Sequence, residues 1–123
     1  QKRAFSFIDD CLEPLWKAAV DKKASKEIIN LGSSVFYTIN EANSVLREVI
    51  GDGTYIHKEG RHEVKDAHPT WAKSVVLLDY KDTTTLHDGL EIMWQWAKNQ
   101  PKREQFIWDN YEIEKGIYTF WKK

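Results

Sequence analysis

The chain has 123 residues, of which 41% are hydrophobic, 30% charged and 13% aromatic, and its formal net charge is -1. This length predicts one domain, and the balanced charge argues against disorder and against nucleic acid as the main partner. The single cysteine, Cys11, excludes an internal disulfide framework and a multi-cysteine zinc site. No apolar run reaches the ~20 residues of a membrane helix, and no secretory signal opens the chain, so we expect no membrane contact and a cytoplasmic location.

The first segment reads as a strand followed by a helix. Residues 3–8 alternate between two faces, which predicts a short strand. Asp9 or Asp10 is then placed to cap a helix by accepting a free backbone N–H, and Pro14 falls in or just past its first turn. The apolar residues that follow recur at helical spacing and predict one apolar face. They are Leu12, Leu15, Trp16, Ala19 and Val20.

The middle of the chain carries a clear helix start. Residues 27–32 form a short apolar run that ends in glycine, which predicts a strand buried on both faces, and residues 33–37 read as a loop. Thr38 and Glu41 stand at the spacing of a capping box, in which each side chain satisfies a free N–H of a new helix. Gly51 is a good stop for that helix because it can adopt a left-handed conformation.

The second half is predicted to be mostly helical. Residues 54–58 favour a weak strand and residues 59–68 a polar loop, followed by a helix from Pro69 or Thr70 to about Leu78. A last helix begins after a threonine cap at residues 83–85 and ends before Pro101. The tail, residues 101–123, is too apolar to be free, so we expect it to pack on the body or on a partner. The order of elements predicts an α/β fold with parallel pairing at first, a few short strands and about four helices.

Two arginines stand out among the candidate site residues. Only four arginines are present against fourteen lysines, and Arg3 lies on an otherwise apolar strand while Arg61 lies in a loop before His62 and Glu63. Arginine suits a bidentate grip on phosphate. The pattern alone favours ordinary surface ion pairing and leaves an anion site as the second interpretation. The four histidines match no zinc-binding spacing.

Six short segments, in order, resemble motifs of the extended short-chain dehydrogenases, the NAD-dependent sugar-nucleotide epimerases and dehydratases. The first, RAFSFIDD, resembles their R-[DA]-[FY]-x-[YF]-[VI]-x-D segment, and the resemblance spans roughly residues 1–100. The others are INLGS (29–33), TINE (38–41), RHEV (61–64), AK (72–73, a loose match) and TTLHDGL (84–90) with a following tryptophan.

The resemblance implies a ligand site. By this resemblance, Arg3 and Arg61 would bind the diphosphate of a nucleotide sugar. Phe5 would lie near the same ligand, and Glu63 would contact the nucleoside ribose. Two departures from the family's motifs weaken the assignment of these roles to this chain. Phe5 stands where tyrosine is common, so a hydroxyl contact is lost, and the spacing from Arg61 to Glu63 is one residue shorter than in the R-P-G-D form.

The resemblance also implies what this chain lacks. We find no G-x-x-G-x-x-G motif to hold NAD, and Tyr111 and Lys115 match the family's Y-x-x-x-K pair only weakly. We therefore expect no cofactor in this chain, with NAD required by a full-length parent. Residues 1–123 would be the C-terminal, substrate-binding region of such a parent, with an abrupt start at Gln1. We expect this region not to be catalytic alone, so whether the chain is an enzyme stays open.

Two alternative functions remain open. The chain is alternatively a stand-alone interaction module that pairs with another chain, or a small nucleotide-sugar-binding protein without catalysis. Because the apolar strand at residues 28–31 would have open edges without its parent sheet, we also expect self-association, a swapped dimer or marginal stability.

Overall fold

The computed structural model describes residues 1–58, 60 and 63–104, and in this part it shows an α/β arrangement of one small sheet and four helices. This confirms the predicted fold class. The strands are β1 (Lys2–Ala4), β2 (Phe36–Thr38) and β3 (Asp66–Ala67), and the helices are α1 (Ile8–Val20), α2 (Ile39–Ile50), α3 (Ala72–Leu78) and α4 (Leu86–Ala97). A single 3₁₀ turn, Lys22–Ala24, follows α1.

The sheet has the order β2-β1-β3, so β1 is the central strand. It pairs antiparallel with β2, where Arg3 lies opposite Tyr37, and parallel with β3, where Arg3 lies opposite Ala67. The prediction that the first strands pair in parallel was therefore wrong, because β1 and β2 are antiparallel and the parallel pair is formed with β3. The prediction missed β2 and β3, which are too short to show an alternating pattern, and the weak strand predicted at residues 54–58 is not formed.

The capping signals read from the sequence are confirmed at α2. The Thr38 hydroxyl accepts from the Glu41 N–H at 3.1 Å, and the Glu41 carboxylate accepts from the Thr38 N–H at 2.7 Å. These hydrogen bonds from Thr38 lower the pKa of Glu41 below its ordinary value. Gly51 follows the helix in a left-handed conformation with φ of 83°, which glycine adopts without steric cost.

The predicted cap of α1 was wrong. The helix begins at Ile8, and its N-cap is Phe7, which offers no side-chain acceptor. Asp9 and Asp10 lie in the first turn, and Pro14 is buried within the helix, past that turn. The Asp10 carboxylate is used elsewhere, because it accepts from a distant loop described below.

The strand predicted at residues 27–32 was also wrong. The segment is not part of the sheet, and Ile28 is 87% exposed rather than buried on two faces. It packs instead against the start of α3, where Glu27 pairs with Lys73 at 2.7 Å. Gly32 lies so close to the Pro69 ring that a β-carbon would overlap it. A short apolar run becomes a strand only beside a pairing partner, and the described residues supply none here.

The packing leaves a large apolar face uncovered. Among the described residues few apolar side chains are buried, including Pro14, Ala24, Leu78 and Tyr80, although α1 packs on α3 and α2 on α4. The apolar face predicted for α1 exists, but its large members are each more than half exposed. These large members are Leu12, Leu15, Trp16 and Val20, Ala19 is exposed as well, and Ile8 at the start of the helix adds a fifth large exposed side chain that the prediction did not include. None of the helices in the described ranges is long and apolar enough to cross a bilayer.

The expectations that concern residues 105–123 lie outside the described residues. These are the packing of the aromatic tail beyond residue 104 and the spacing of Tyr111 and Lys115.

Candidate functional site

The parallel pairing of β1 with β3 brings two predicted site residues together. Arg3 lies in β1, and Glu63 precedes β3 by three residues, so side chains sixty residues apart in the chain become neighbours. The Arg3 guanidinium approaches the Glu63 carboxylate at 3.7 Å, with side-chain exposures of 26% and 31%. Gln1 donates to the same carboxylate oxygen at 3.1 Å. Arg3 and Glu63 therefore form one partly buried charged pair that links the central strand to the segment before β3.

The backbone fixes where the Arg3 side chain points. Its Nη1 atom donates to the carbonyl oxygen of Lys2 at 2.8 Å and to that of Lys65 at 3.3 Å. Because one end of the guanidinium is held by main chain, the remaining N–H groups present a rigid, permanently charged fork. This is the group that a phosphate oxygen pair requires.

Phe5 lies on the same side of the sheet as Arg3. Residues two apart in an extended chain share a face, and Tyr37 stands directly opposite Arg3 on β2. The Phe5 and Tyr37 rings accordingly meet at a centroid distance of 6.4 Å, tilted by 57°. Tyr37 was missed by the sequence analysis, since only the antiparallel register of β1 and β2 brings it to this site.

Phe5 separates two cavities. The larger, about 210 Å³, is mainly apolar and lies between the end of β1 and α4, where Gly89 and Met93 face it. The smaller, about 90 Å³, is bordered by Tyr37 and by hydroxyl-bearing residues of two loops. An aromatic side chain between these spaces suits contact with a flat ring. The fourth predicted residue, Arg61, lies outside the described residues.

Two carboxylates hold the loop before α4. Asp82 accepts from the Ser33 hydroxyl at 2.7 Å and from the Ser34 N–H at 2.8 Å, and Ser33 is buried. Asp10 accepts from the hydroxyl of Thr83 at 2.7 Å and from the N–H of Thr84 at 2.8 Å. These bonds join α1, the segment after residue 32 and the wall of the smaller cavity, so they position that wall.

The same cluster contains groups whose ionisation is suppressed. Burial, together with the negative charge of Asp82, raises the pKa of Tyr80 to about 12. Burial and the charges of Asp10 and Asp82 also raise the pKa of the Cys11 thiol. A raised pKa keeps both groups neutral at physiological pH, which favours a packing role for Cys11 over a reactive thiolate.

The described residues do not form a cradle for a dinucleotide or a metal. Dinucleotide phosphates bind where a glycine-rich turn opens a helix. Gly51 ends α2 instead, and no helix begins near Gly53, since α3 starts at Ala72. In residues 1–58, 60 and 63–104 no three acidic, histidine or cysteine side chains converge as metal ligands.

Solved structures with a similar fold come from one enzyme type. UDP-glucuronic acid 4-epimerase from Bacillus cereus, in complex with NAD and UDP-glucuronic acid, matches with a TM-score of 0.70 and 32% identity over 80% of this chain. Its Y149F mutant, in complex with NAD and a fluorinated analogue of that sugar nucleotide, matches equally well in fold. GDP-mannose 3,5-epimerase 1 of Oryza sativa, in both indica and japonica subspecies, is 27% identical over 106 residues.

The chain is similar to a part of NAD-dependent sugar-nucleotide epimerases of the extended short-chain dehydrogenase type. This confirms the resemblance read from its motifs. No protein-family model matches the chain. It spans 28% of the length of the curated epimerases and 32% of the B. cereus epimerase chain, so it represents about a third of such a protein.

The contribution of Asp10 to the stability of this chain is expected to depend on pH. Partial burial raises the pKa of Asp10, but the hydrogen bonds from Thr83 and Thr84 outweigh it, so the pKa lies below its ordinary value of 3.8. A lowered pKa in the folded state contributes stability above the unfolded pKa, and this stability is lost as pH falls through the folded pKa. Asp10→Asn should therefore lower the free energy of unfolding by about 1 kcal/mol at pH 7.

Denaturant unfolding at pH 7 and pH 3 tests this expectation. The difference between the native chain and Asp10→Asn should shrink at pH 3. Asp9→Asn removes the same charge from the same helical turn, where the helix dipole acts on both, and controls for that effect. Equal losses in the two variants would show that the bonds to the loop contribute nothing.

Proposed function

We propose that this chain is the C-terminal, substrate-side part of an NAD-dependent sugar-nucleotide epimerase or dehydratase, in which it binds the diphosphate of the nucleotide sugar. The single observation that supports this most is the placement of Arg3. Its guanidinium is held by the main chain in the central strand, beside Glu63, and Phe5 follows on the same side of the sheet. The structure of the B. cereus epimerase, which has a similar fold, contains bound UDP-glucuronic acid.

The proposed roles follow from the chemistry of each side chain. Arg3 supplies fixed N–H donors and a permanent charge to phosphate oxygens, and Arg61 is proposed to supply a second such group. The Glu63 carboxylate accepts hydrogen bonds and suits ribose hydroxyls. Phe5 contributes an aromatic surface between two cavities, and without a hydroxyl it offers packing only.

We further propose that this chain does not catalyse the reaction alone. Its described residues form no dinucleotide cradle, and the epimerases it resembles are about three times as long. The parent reaction is a transient oxidation of the sugar by bound NAD, for which the cofactor and the acid–base pair would come from the rest of such a protein. We propose the cytoplasm as its location.

A second candidate function is supported by the exposed face of α1. Five large apolar side chains on one helix face are more than half exposed, which is typical of a surface that meets another protein surface. This favours self-association of the chain or a role as an interaction module. Self-association was predicted from an open strand edge at residues 28–31, but no strand forms there. The proposal rests instead on the exposed apolar face of α1.

Calorimetric titration tests the binding function directly. UDP-glucuronic acid and GDP-mannose should each bind to the folded chain, and UDP should bind at least about tenfold more tightly than uridine, because charged hydrogen bonds to phosphate supply much of the affinity. Circular dichroism in the same buffer shows that the chain is folded. A folded chain that binds none of these ligands at millimolar concentration would contradict the proposal.

A further inference from the structure

Arg3 has an anionic partner within the chain itself. One guanidinium nitrogen, Nη1, is engaged by the carbonyl oxygens of Lys2 and Lys65. The other, Nη2, faces the Glu63 carboxylate at 3.7 Å. The end of the fork that remains for a phosphate is therefore the end that Glu63 faces.

Glu63 is also directed toward Arg3 by a neighbour. The Gln1 side-chain amide donates at 3.1 Å to Oε2, the same oxygen that approaches Arg3. Both members of the pair are partly exposed, so a dissolved anion can reach them. A phosphate that binds Arg3 either displaces the Glu63 carboxylate or lies beside it, where the two negative charges repel each other. Each alternative weakens binding.

We propose that Glu63 is a specificity-determining counter-ion of Arg3. It competes with the ligand for the guanidinium and so discriminates against anions that carry phosphate alone. A bare pyrophosphate repels the carboxylate and offers it no sugar hydroxyl. A nucleoside diphosphate offers hydroxyl donors that the displaced carboxylate accepts, which offsets the repulsion. This inference rests on the proposed diphosphate site and adds to it a reason why ligands without a sugar hydroxyl are rejected.

The test compares inorganic pyrophosphate with UDP on the native chain and on Glu63→Gln at fixed ionic strength. Removal of one negative charge near the site should strengthen pyrophosphate binding about threefold, since screened surface charges a few ångströms apart interact weakly but measurably. UDP should gain less or lose affinity, so the ratio of UDP to pyrophosphate affinity falls. Glu48→Gln, an exposed carboxylate on α2, removes the same charge elsewhere and should leave the ratio unchanged.

A further variant, Arg3→Met combined with Glu63→Gln, identifies the group through which Glu63 acts. The gain in pyrophosphate affinity should vanish when Arg3 is absent. If UDP binds the native chain but Glu63→Gln leaves pyrophosphate affinity unchanged or weaker, this inference is overturned and the binding function stands. If neither ligand binds either form of the folded chain, the binding function and the inference both fail.

Discussion

Replacement of Trp16 by lysine should weaken self-association of this chain at least about tenfold, because aromatic residues dominate the energy of most protein contacts. Trp16 is 68% exposed on α1, and it shares one helix face with Leu12 and Leu15, which are 54% and 52% exposed. Each Å² of apolar surface removed from water stabilises a contact by about 25 cal/mol. A face of this kind therefore favours a second copy of the chain when no other protein covers it.

Sedimentation velocity over a range of concentrations measures this effect. The native chain should shift from monomer to dimer within the micromolar range, and Trp16→Lys should remain monomeric there. Ile56→Lys is the matched control, since Ile56 is 78% exposed but lies in the segment after α2 and outside the α1 face. A native chain that is monomeric at all concentrations would contradict the proposed self-association.

Replacement of Asp82 by alanine should lower the free energy of unfolding by about 3 kcal/mol, because charge-assisted hydrogen bonds are lost and the buried Ser33 hydroxyl loses its carboxylate acceptor. The Asp82 carboxylate accepts from the hydroxyl of Ser33 and from both the N–H and hydroxyl of Ser34. Ser33 is only 4% exposed, so water does not readily replace the lost acceptor. The loop that forms the wall of the smaller cavity should loosen at the same time.

Urea unfolding measures the stability change. Asp66→Ala serves as the control, because it removes an exposed carboxylate from the short strand β3 without touching these loops. The control should change stability by less than about 0.5 kcal/mol. Similar losses in the two variants would show that the Asp82 contacts do not hold the loops together.

Local signals predicted the helices well. The box of Thr38 and Glu41, the stop at Gly51 and the apolar face of α1 all depend on residues a few positions apart, and all three are confirmed. These features need no information about distant parts of the chain.

Non-local contacts account for the predictions that were wrong. Asp10 was expected to cap its own helix, but it accepts from Thr83 and Thr84, more than seventy positions away. Residues 27–32 have the composition of a buried strand, yet they meet no pairing strand among the described residues and pack on α3. Neither outcome can be predicted from the spacing of neighbouring residues, since each depends on which surfaces the complete fold brings together.

The candidate site shows the same division. The family motif around Arg3 and Phe5 is recognisable from the sequence alone. The contact of Arg3 with Glu63 depends on the parallel register of β1 and β3, and the contact of Phe5 with Tyr37 depends on the antiparallel register of β1 and β2. The residue types were therefore predictable, while the counter-ion of Arg3 and the partner of Phe5 were not.

The most direct test of the central claim is a titration of Arg3→Met with UDP-glucuronic acid. The variant keeps an unbranched side chain but loses the fixed charged donors, so affinity should fall at least about tenfold relative to the native chain. Arg103→Met, an exposed arginine after α4, should bind like the native chain. Binding by Arg3→Met that equals that of the native chain would contradict the assignment of this strand to the diphosphate.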